Sequence, residues 1–292
     1  MVRPLKESAG ERLFRYANVC VMGLLGFMML VPFLKVLSTS LSAGWAADAG
    51  QVSLWPAHFT LASWEKILER ESLWHSLFLT VVVTVLGTLL CLLLTSLLAY
   101  PLSKAEFRPA KLIVLLIVIT LVFRYPLIPY FLTIKNLGLY NNFWVLIIPQ
   151  LITAYNLIIM RTFFKELPKE LEEAAQLEGC GYGRLLFLIV LPTSKAVLAT
   201  LGIFYAVTLW NQFLHPLLFI DNPNLYPLQL KLREYIISTD AQISVTSDQT
   251  ALIYSNTTLK AATIIFAAIP ILLVYPFMQK HFVKGAMLGS VK

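Results

Sequence analysis

Residues 75–99, HSLFLTVVVTVLGTLLCLLLTSLLA, run for 25 positions without a Lys, Arg, Asp or Glu. An α-helix rises about 1.5 Å per residue, so a run of this length covers the roughly 30 Å hydrocarbon core of a bilayer. In that medium a lone segment must pair all its own backbone polar groups, which only a helix does. Five more apolar runs lie on either side, three of them likewise uncharged at 143–160, 196–220 and 261–279, and two with a single cation each, Lys35 in 17–41 and Arg124 in 112–133. The third of the six, 112–133, contains Arg124 followed by Pro126 and Pro129, and is expected to kink or break there. The chain reads as an all-α membrane protein with six transmembrane helices. Its composition agrees: of 292 residues 58% are apolar and 13% charged, with a mean hydropathy of +0.74. That leaves too little polar surface for a soluble enzyme.

The net charge of +7 would fit nucleic acid in a soluble protein, but here the cations lie mostly between the apolar runs. Of 23 Lys and Arg, 15 fall in the N-terminal segment, the second and fourth connections and the tail. An excess of cations marks the cytoplasmic side, so both termini are expected there. The first run is longer than a signal-peptide core and has no small-residue cleavage pattern after it, so it reads as a retained span. Cys20, Cys91 and Cys180 lack metal-ligand spacing and are not placed for an extracellular disulfide. The expected organisation is a cytoplasmic segment 1–16, a transmembrane domain 17–279 and a cytoplasmic tail 280–292. The domain includes a long cytoplasmic loop 161–195 and an extracytoplasmic loop 221–260.

The 161–195 loop has internal order. Leu167-Pro168 opens the stretch KELEEAAQLE (169–178), which has acids toward its positive end and Gly179 just past its last turn, the signals of a short helix. Leu171, Ala174, Ala175 and Leu177 give it a narrow face of small residues, suited to close approach by another surface. Gly181 and Gly183 follow, then an apolar run from Leu185 to Leu191 and Pro192 that returns toward the membrane.

Glu173-Ala174-Ala175, Gly179, Ile189 and Leu191-Pro192, at this spacing between two spans, resemble the signature loop of the permease subunits of binding-protein-dependent ABC importers. Asn136-Leu137-Gly138-Leu139-Tyr140-Asn141, Trp210-Asn211, Leu225-Tyr226-Pro227-Leu228-Gln229 and the tail Phe282-Val283-Lys284-Gly285 resemble the carbohydrate branch of that family. Two departures stand in the loop, Glu178 where the family usually has Asp and Cys180 where it usually has Ala. The resemblance implies the type I permease fold and makes the loop a coupling helix seated in a groove of an ATP-hydrolysing subunit. It also implies the partners: a second permease subunit, two ATP-binding subunits that hold ATP and Mg, an extracytoplasmic solute-binding protein, and a carbohydrate as cargo. On the residues alone, the segment also reads as a solvated amphipathic connector.

Several chemistries are disfavoured. The phosphate-binding pattern Gly-x-x-x-x-Gly-Lys-[Ser/Thr] does not occur, so ATP hydrolysis belongs to partner subunits and this chain is not expected to be an enzyme or to hold a cofactor of its own. All 16 acids lie outside the six runs, which disfavours an ion-coupled carrier. His58, His75, His215 and His281 are scattered without metal spacing, and no metal site is expected. A non-transporting membrane scaffold or sensor is the remaining alternative.

Sugars are held by aromatic faces and directed hydrogen bonds in a mostly apolar cleft. Tyr125 and Tyr130, Tyr155 and Asn156, and Tyr205, Trp210, Asn211 and Gln212 are the candidates within spans, although packing and interfacial anchoring explain aromatic residues equally well. A guanidinium in a span costs about 2.5–3.5 kcal/mol unless paired or wetted, so Arg124 must find compensation. It either snorkels or pairs with a neighbouring subunit, or it faces the path and recognises a carboxylate, which implies an acidic, uronate-type oligosaccharide. In loop 221–260, the polar stretch 238–256, with Ser238, Asp240, Gln242, Asp248 and Asn256, reads as flexible: either a probe of the solute-binding protein, as the resemblance implies, or a plain spacer.

Overall fold

A computed structural model of the chain describes residues 9–123, 126–242 and 254–288. Arg124, Tyr125 and Asp248 lie outside the described residues. In order, the helices are α1 (Ala9–Ser40), α2 (Gly44–Asp48), α3 (Ala62–Leu68), α4 (Glu71–Ser103), α5 (Ala110–Val122), α6 (Leu127–Asn136) and α7 (Ala154–Glu166). They continue as α8 (Lys169–Leu177), α9 (Tyr182–Leu185), α10 (Leu191–Thr193), α11 (Lys195–Trp210), α12 (Leu214–Phe219), α13 (Leu228–Gln242) and α14 (Asn256–Leu288). Among the described residues the one β feature is an isolated antiparallel bridge, Ser42 to Phe59.

Among the described residues, helices α1, α4 and α14 are long and apolar enough to cross a membrane, and two bent pairs raise that number to five. One pair is Phe143–Gln150 with Ala154–Glu166, bent by 49°, and the other Tyr182–Thr193 with Lys195–Trp210, bent by 84°. Apolar α5 has 13 residues, short of the roughly 20 of a straight crossing. The run 112–133 is therefore two helices, with Pro126 as the N-cap of α6, because a proline nitrogen cannot donate to the preceding turn. The run 143–160 also divides. Pro149 sits in a 3₁₀ turn (Ile148–Gln150) and α7 carries on to Glu166.

Loop 221–260 is helical from Leu228 to Gln242, and residues 243–253 of the stretch 238–256 lie outside the described residues. Pro227 precedes α13, whose Leu228 N–H donates to Thr80 Oγ1 at 2.8 Å, and Leu228, Leu230, Leu232 and Tyr235 are buried. Those apolar side chains give the segment a face to bury. Ser238, Asp240 and Gln242 belong to α13, and Asn256 stands in the first turn of α14.

The helices group into two compact units, one of residues up to Arg70 with Glu234–Ala268, the other of Glu71–Arg233 with Ile269 onward. In the first, the chain folds back after α1 through serines. Ser38 Oγ donates to Leu54 O at 2.6 Å, Ser42 Oγ donates to Ser38 O at 2.6 Å, and Ala57 N–H donates to Ser42 Oγ at 3.0 Å. Ser255 and Thr258 cap α14 reciprocally: Ser255 N–H donates to Thr258 Oγ1 at 3.0 Å, and Thr258 N–H to Ser255 Oγ at 3.4 Å. Ser255 Oγ also donates to Asp48 at 3.0 Å, and Ser63 Oγ to Thr258 at 2.8 Å. Thr258, part of an Asn-Thr-Thr sequon, is thus fully buried.

In the second unit α4 is the spine, packed on α7 and α11. The α4–α11 contact is close because both helices carry a glycine there. A Cβ on Gly87 would lie 2.7 Å from Leu209 Cδ1, and one on Gly202 would lie 3.4 Å from Leu92 Cδ1. Thr95 and Tyr205 hydroxyls meet at 2.7 Å across the same contact.

Gly44 is the tightest point in the first unit, where a Cβ would stand 2.6 Å from the backbone of Tyr254 and Ser255. Backbone cannot move aside as a side-chain tip does, so Gly44→Ala is expected to destabilise by about 1–3 kcal/mol. Gly23→Ala, in open space on α1, should leave thermal unfolding of the purified protein unchanged or slightly raised.

Candidate functional site

Helix α8 carries Glu173, Ala174 and Ala175. Pro168 precedes it with extended backbone, Glu170 and Glu172 sit in its first turn where the helix dipole favours acids, and Gly179 ends it. Gly179 has φ +81°, its N–H donates to Gln176 O at 2.9 Å, and Cys180 N–H donates to Ala175 O at 3.0 Å. These two bonds are the Schellman stop, which needs a residue in the left-handed region. Cys180 and Ala175 meet in the same apolar cluster, the contact that usually accompanies this motif. A Cβ on Gly179 would meet no atom, so glycine is required here by backbone conformation and not by space.

The two faces of α8 differ. Ala175 is 6% exposed and sits in a core with Tyr100, Leu102, Phe164 and Leu185. The small-residue face is therefore shared: Ala175 is spent on the chain's own core and is not open to a partner. Glu173 and Ala174 are exposed, as is Leu177 at 91%, an apolar side chain left in the open. Successive helical residues are about 100° apart, so the adjacent acids separate. Glu172 points inward and pairs with Lys104, with side chains 18% and 15% exposed.

Lys104 directly follows α4, where a cation complements the helix's negative end. Its Nζ also lies 4.4 Å from the centre of the Tyr100 ring. Arg161 of α7 donates from Nε to Leu102 O at 2.8 Å, satisfying a carbonyl that the end of α4 leaves without a helical partner. Beside the ion pair is a cavity of about 360 Å³ lined by Tyr100, Pro101, Lys104, Glu106, Phe107 and Tyr182. The sequence offered Lys104 and Arg161 as orientation charges, and their contact roles carry no local sequence signal.

The apolar run after Gly179 is an irregular helix: α9, a π turn at Leu186–Val190, and α10. Leu185, Leu186 and Val190 are buried, Ile189 and Leu191 pack half-buried on the same core, and Pro192 is exposed. This run lies at 84° to α11 across Ser194 and does not continue into it as one straight span.

The path candidates divide. Tyr155 and Asn156 line one cavity of about 540 Å³ with Thr153, Ile203, Phe204, Val207 and Thr208. Asn156 is 5% exposed and Tyr155 is open. Trp210, Asn211 and Gln212 are not part of that lining. Asn211 donates from Nδ2 to Val207 O at 2.9 Å, closing its own helix end. Gln212 is buried with both amide atoms unpaired, and Trp210 Nε1 is likewise buried and unpaired. Tyr205 is taken up by Thr95 and Thr153, so its role is packing. Tyr130 bonds His215 through Oη and Nε2, within a group where Phe131 and Phe219 stack at 5.5 Å.

The Asn136–Asn141 stretch, one of the quoted motif segments, is a connector clamp. Gly138 (φ +72°) stops α6, and Asn141 (φ +53°) donates its N–H to Phe219 O at 2.8 Å. Asn141 Oδ1 accepts from Asp221 N–H at 3.1 Å and Asn222 N–H at 2.9 Å. Tyr140 Oη donates to Asp221 at 2.7 Å, a bond that holds the phenol above its usual range.

Gly179→Ala is expected to cost about 1–2 kcal/mol of local stability, from the left-handed backbone alone. Gly179→Asn, which tolerates that conformation, should cost less, and Gly183→Ala, with open space and no positive φ, should be silent. Limited proteolysis of residues 167–185 in the purified protein reads all three.

Residues 109–287 match the family of the binding-protein-dependent transport system inner membrane component. Over its whole length the chain is 36% identical to protein LplC of Bacillus subtilis (strain 168), covering 99% of that protein. It is 38% identical to the polygalacturonan/rhamnogalacturonan transport system permease protein YtcP of the same organism, over 96% of this chain and 95% of the relative. A chain from the crystal structure of a bacterial ABC transporter involved in the import of the acidic polysaccharide alginate superposes with a TM-score of 0.87. Its identity is 28%, and the match covers 96% of this chain and all of that one. A glycine-stopped helix carrying Glu173-Ala174-Ala175, the family match over residues 109–287 and the likeness to these relatives over nearly the whole chain together place it in the family of binding-protein-dependent ABC importer permeases.

Proposed function

We propose that this chain is half of the pore of an importer for acidic oligosaccharides. A second permease subunit forms the other half, two ATP-binding subunits drive it, and an extracytoplasmic solute-binding protein delivers the cargo. Both termini and α8 lie on the cytoplasmic side, as the Lys and Arg distribution supports. ATP and Mg are bound by the ATPase subunits, and this chain's part is conduction and coupling by alternating access.

The observation that carries the reading is the division of α8. Its inner face is fastened to the chain's own core, while Glu173, Ala174 and Leu177 stand open. An exposed leucine flanked by an acid and an alanine suits a groove on a partner, with Gly179, Ile189, Leu191 and Pro192 holding the lever's far side. Substrate class is supported by the relatives. YtcP is named for polygalacturonan and rhamnogalacturonan, and the superposed transporter is described by its import of alginate, also an acidic polysaccharide. Arg124, with its two-pronged donor geometry, is the cation in the spans that a uronate would meet. Tyr155 and Asn156 at the 540 Å³ cavity offer an aromatic face and an amide to a sugar ring.

Co-expression with its companions should yield a complex in which an ATPase pair co-purifies and uptake requires ATP. Glu173→Lys is expected to abolish coupled uptake while the permease subunits stay folded, and unchanged ATP-driven uptake by that variant overturns the coupling assignment. Arg124→Gln is expected to reduce uptake of galacturonate oligomers at least tenfold more than uptake of neutral oligomers. Equal effects on both end the anion assignment.

A further inference from the structure

We infer that Lys104 is a positioning residue that fastens the coupling helix to the spine α4, making α8 and the end of α4 move as one body. The inference rests on the coupling role proposed above for α8. Glu172 and Lys104 are 68 positions apart in sequence, and both side chains are largely withdrawn from solvent. An ion pair in such surroundings is screened less by salt and holds its geometry better than one on an open surface. Two further contacts tie the same helix end. Ala175 is set into the core beside Tyr100 and Leu102, and Arg161 of α7 caps Leu102 O at 2.8 Å. The short helix that meets the motor is thus held at its inner face by one apolar contact and one charge pair.

The destination of that fastening is what gives it a function. Helix α4 packs on α7 and on α11, the latter through the glycine contacts at Gly87 and Gly202. Those two helices carry the lining of the 540 Å³ cavity, Tyr155 and Asn156 on one and Phe204, Val207 and Thr208 on the other. A push on Glu173 and Leu177 that the Lys104–Glu172 pair passes to α4 reaches that cavity. Without the pair, α8 keeps Ala175 and the flanking Leu167 and Cys180 on the core, but its inner face is no longer fixed to the end of α4. The neighbouring acid Glu106 lines the cavity beside Lys104 but is exposed, and is not assigned this role.

The test uses the full transporter in lipid nanodiscs, in a background where Cys20, Cys91 and Cys180 are replaced. Spin labels are placed at the exposed positions 89 on α4 and 176 on α8, and their distance is measured without nucleotide and with ATP bound. The expected result is one narrow distance, the same in both states. Lys104→Gln should lose it to a broader, nucleotide-dependent distribution, Lys104→Arg should keep it, and Glu106→Gln should match the parent. The reversed pair, Lys104→Glu with Glu172→Lys, should restore the narrow distance. Three results overturn the inference: an 89–176 distance in the parent that changes with ATP, an unaltered distribution in Lys104→Gln, or no recovery in the reversed pair. Should no ATPase pair join the parent complex, it is the coupling reading that fails instead.

Discussion

A helix leaves four amides unpaired at its start and four carbonyls at its end, and in or near a membrane those groups have little water to turn to. How they are satisfied decides which parts of this chain are tied to which. The end of α4 is met by Arg161, which bonds Leu102 O, and by the Lys104 charge. The start of α13 hands its Leu228 N–H to Thr80. Helix α14 is capped by Ser255 and Thr258, which also reach Asp48 and Ser63. At α4 and α13 a side chain from a distant part of the sequence does the capping, and at α14 the local caps themselves bond distant side chains, so the closing of each of these helix ends is tied to a tertiary bond.

Helix α8, for which a coupling role is proposed, is closed differently, as α6 is at Gly138. Its end is closed locally, by Gly179 and the two backbone bonds around it, so α8 needs no outside partner to hold its shape. That leaves its surface available, inward for Ala175 and Glu172, outward for Glu173, Ala174 and Leu177. A lever must be rigid before it is gripped, because a segment that orders only on contact spends binding free energy on its own folding. Local closure at Gly179 and attachment at Lys104 supply the two halves of that requirement.

Much of this was legible from residue types. The apolar runs located the long helices because a bilayer leaves few alternatives, and the glycine after Leu177 and Glu178 marked the end of α8 because φ near +80° excludes most side chains. The break after Val122 was readable from Pro126. Less legible was α13: its buried Leu228, Leu230, Leu232 and Tyr235 do not fall on a clean helical stripe, and polar residues between them imitate a loop. The two bends, 49° and 84°, were hidden because an apolar run looks the same whether it goes straight or turns. The Lys104–Glu172 pair could not be seen at all, since a charge 68 residues from its partner carries no sequence mark of the pairing. Likewise the Asn136–Asn141 segment stood out as a motif, but that Asn141 clamps the chain at Phe219, Asp221 and Asn222 emerges only in three dimensions.

The central claim is that α8 exists as a docked, closed helix before any motor binds it. Hydrogen exchange on the permease subunits in nanodiscs, with the ATPase subunits left out, addresses it directly. The amides of residues 173–180 are predicted to exchange slowly, Gly179 and Cys180 among them because their N–H groups are bonded to Gln176 and Ala175. Exchange of those amides at the rate of an unstructured peptide, with protection appearing only once the ATPase pair is added, would contradict it.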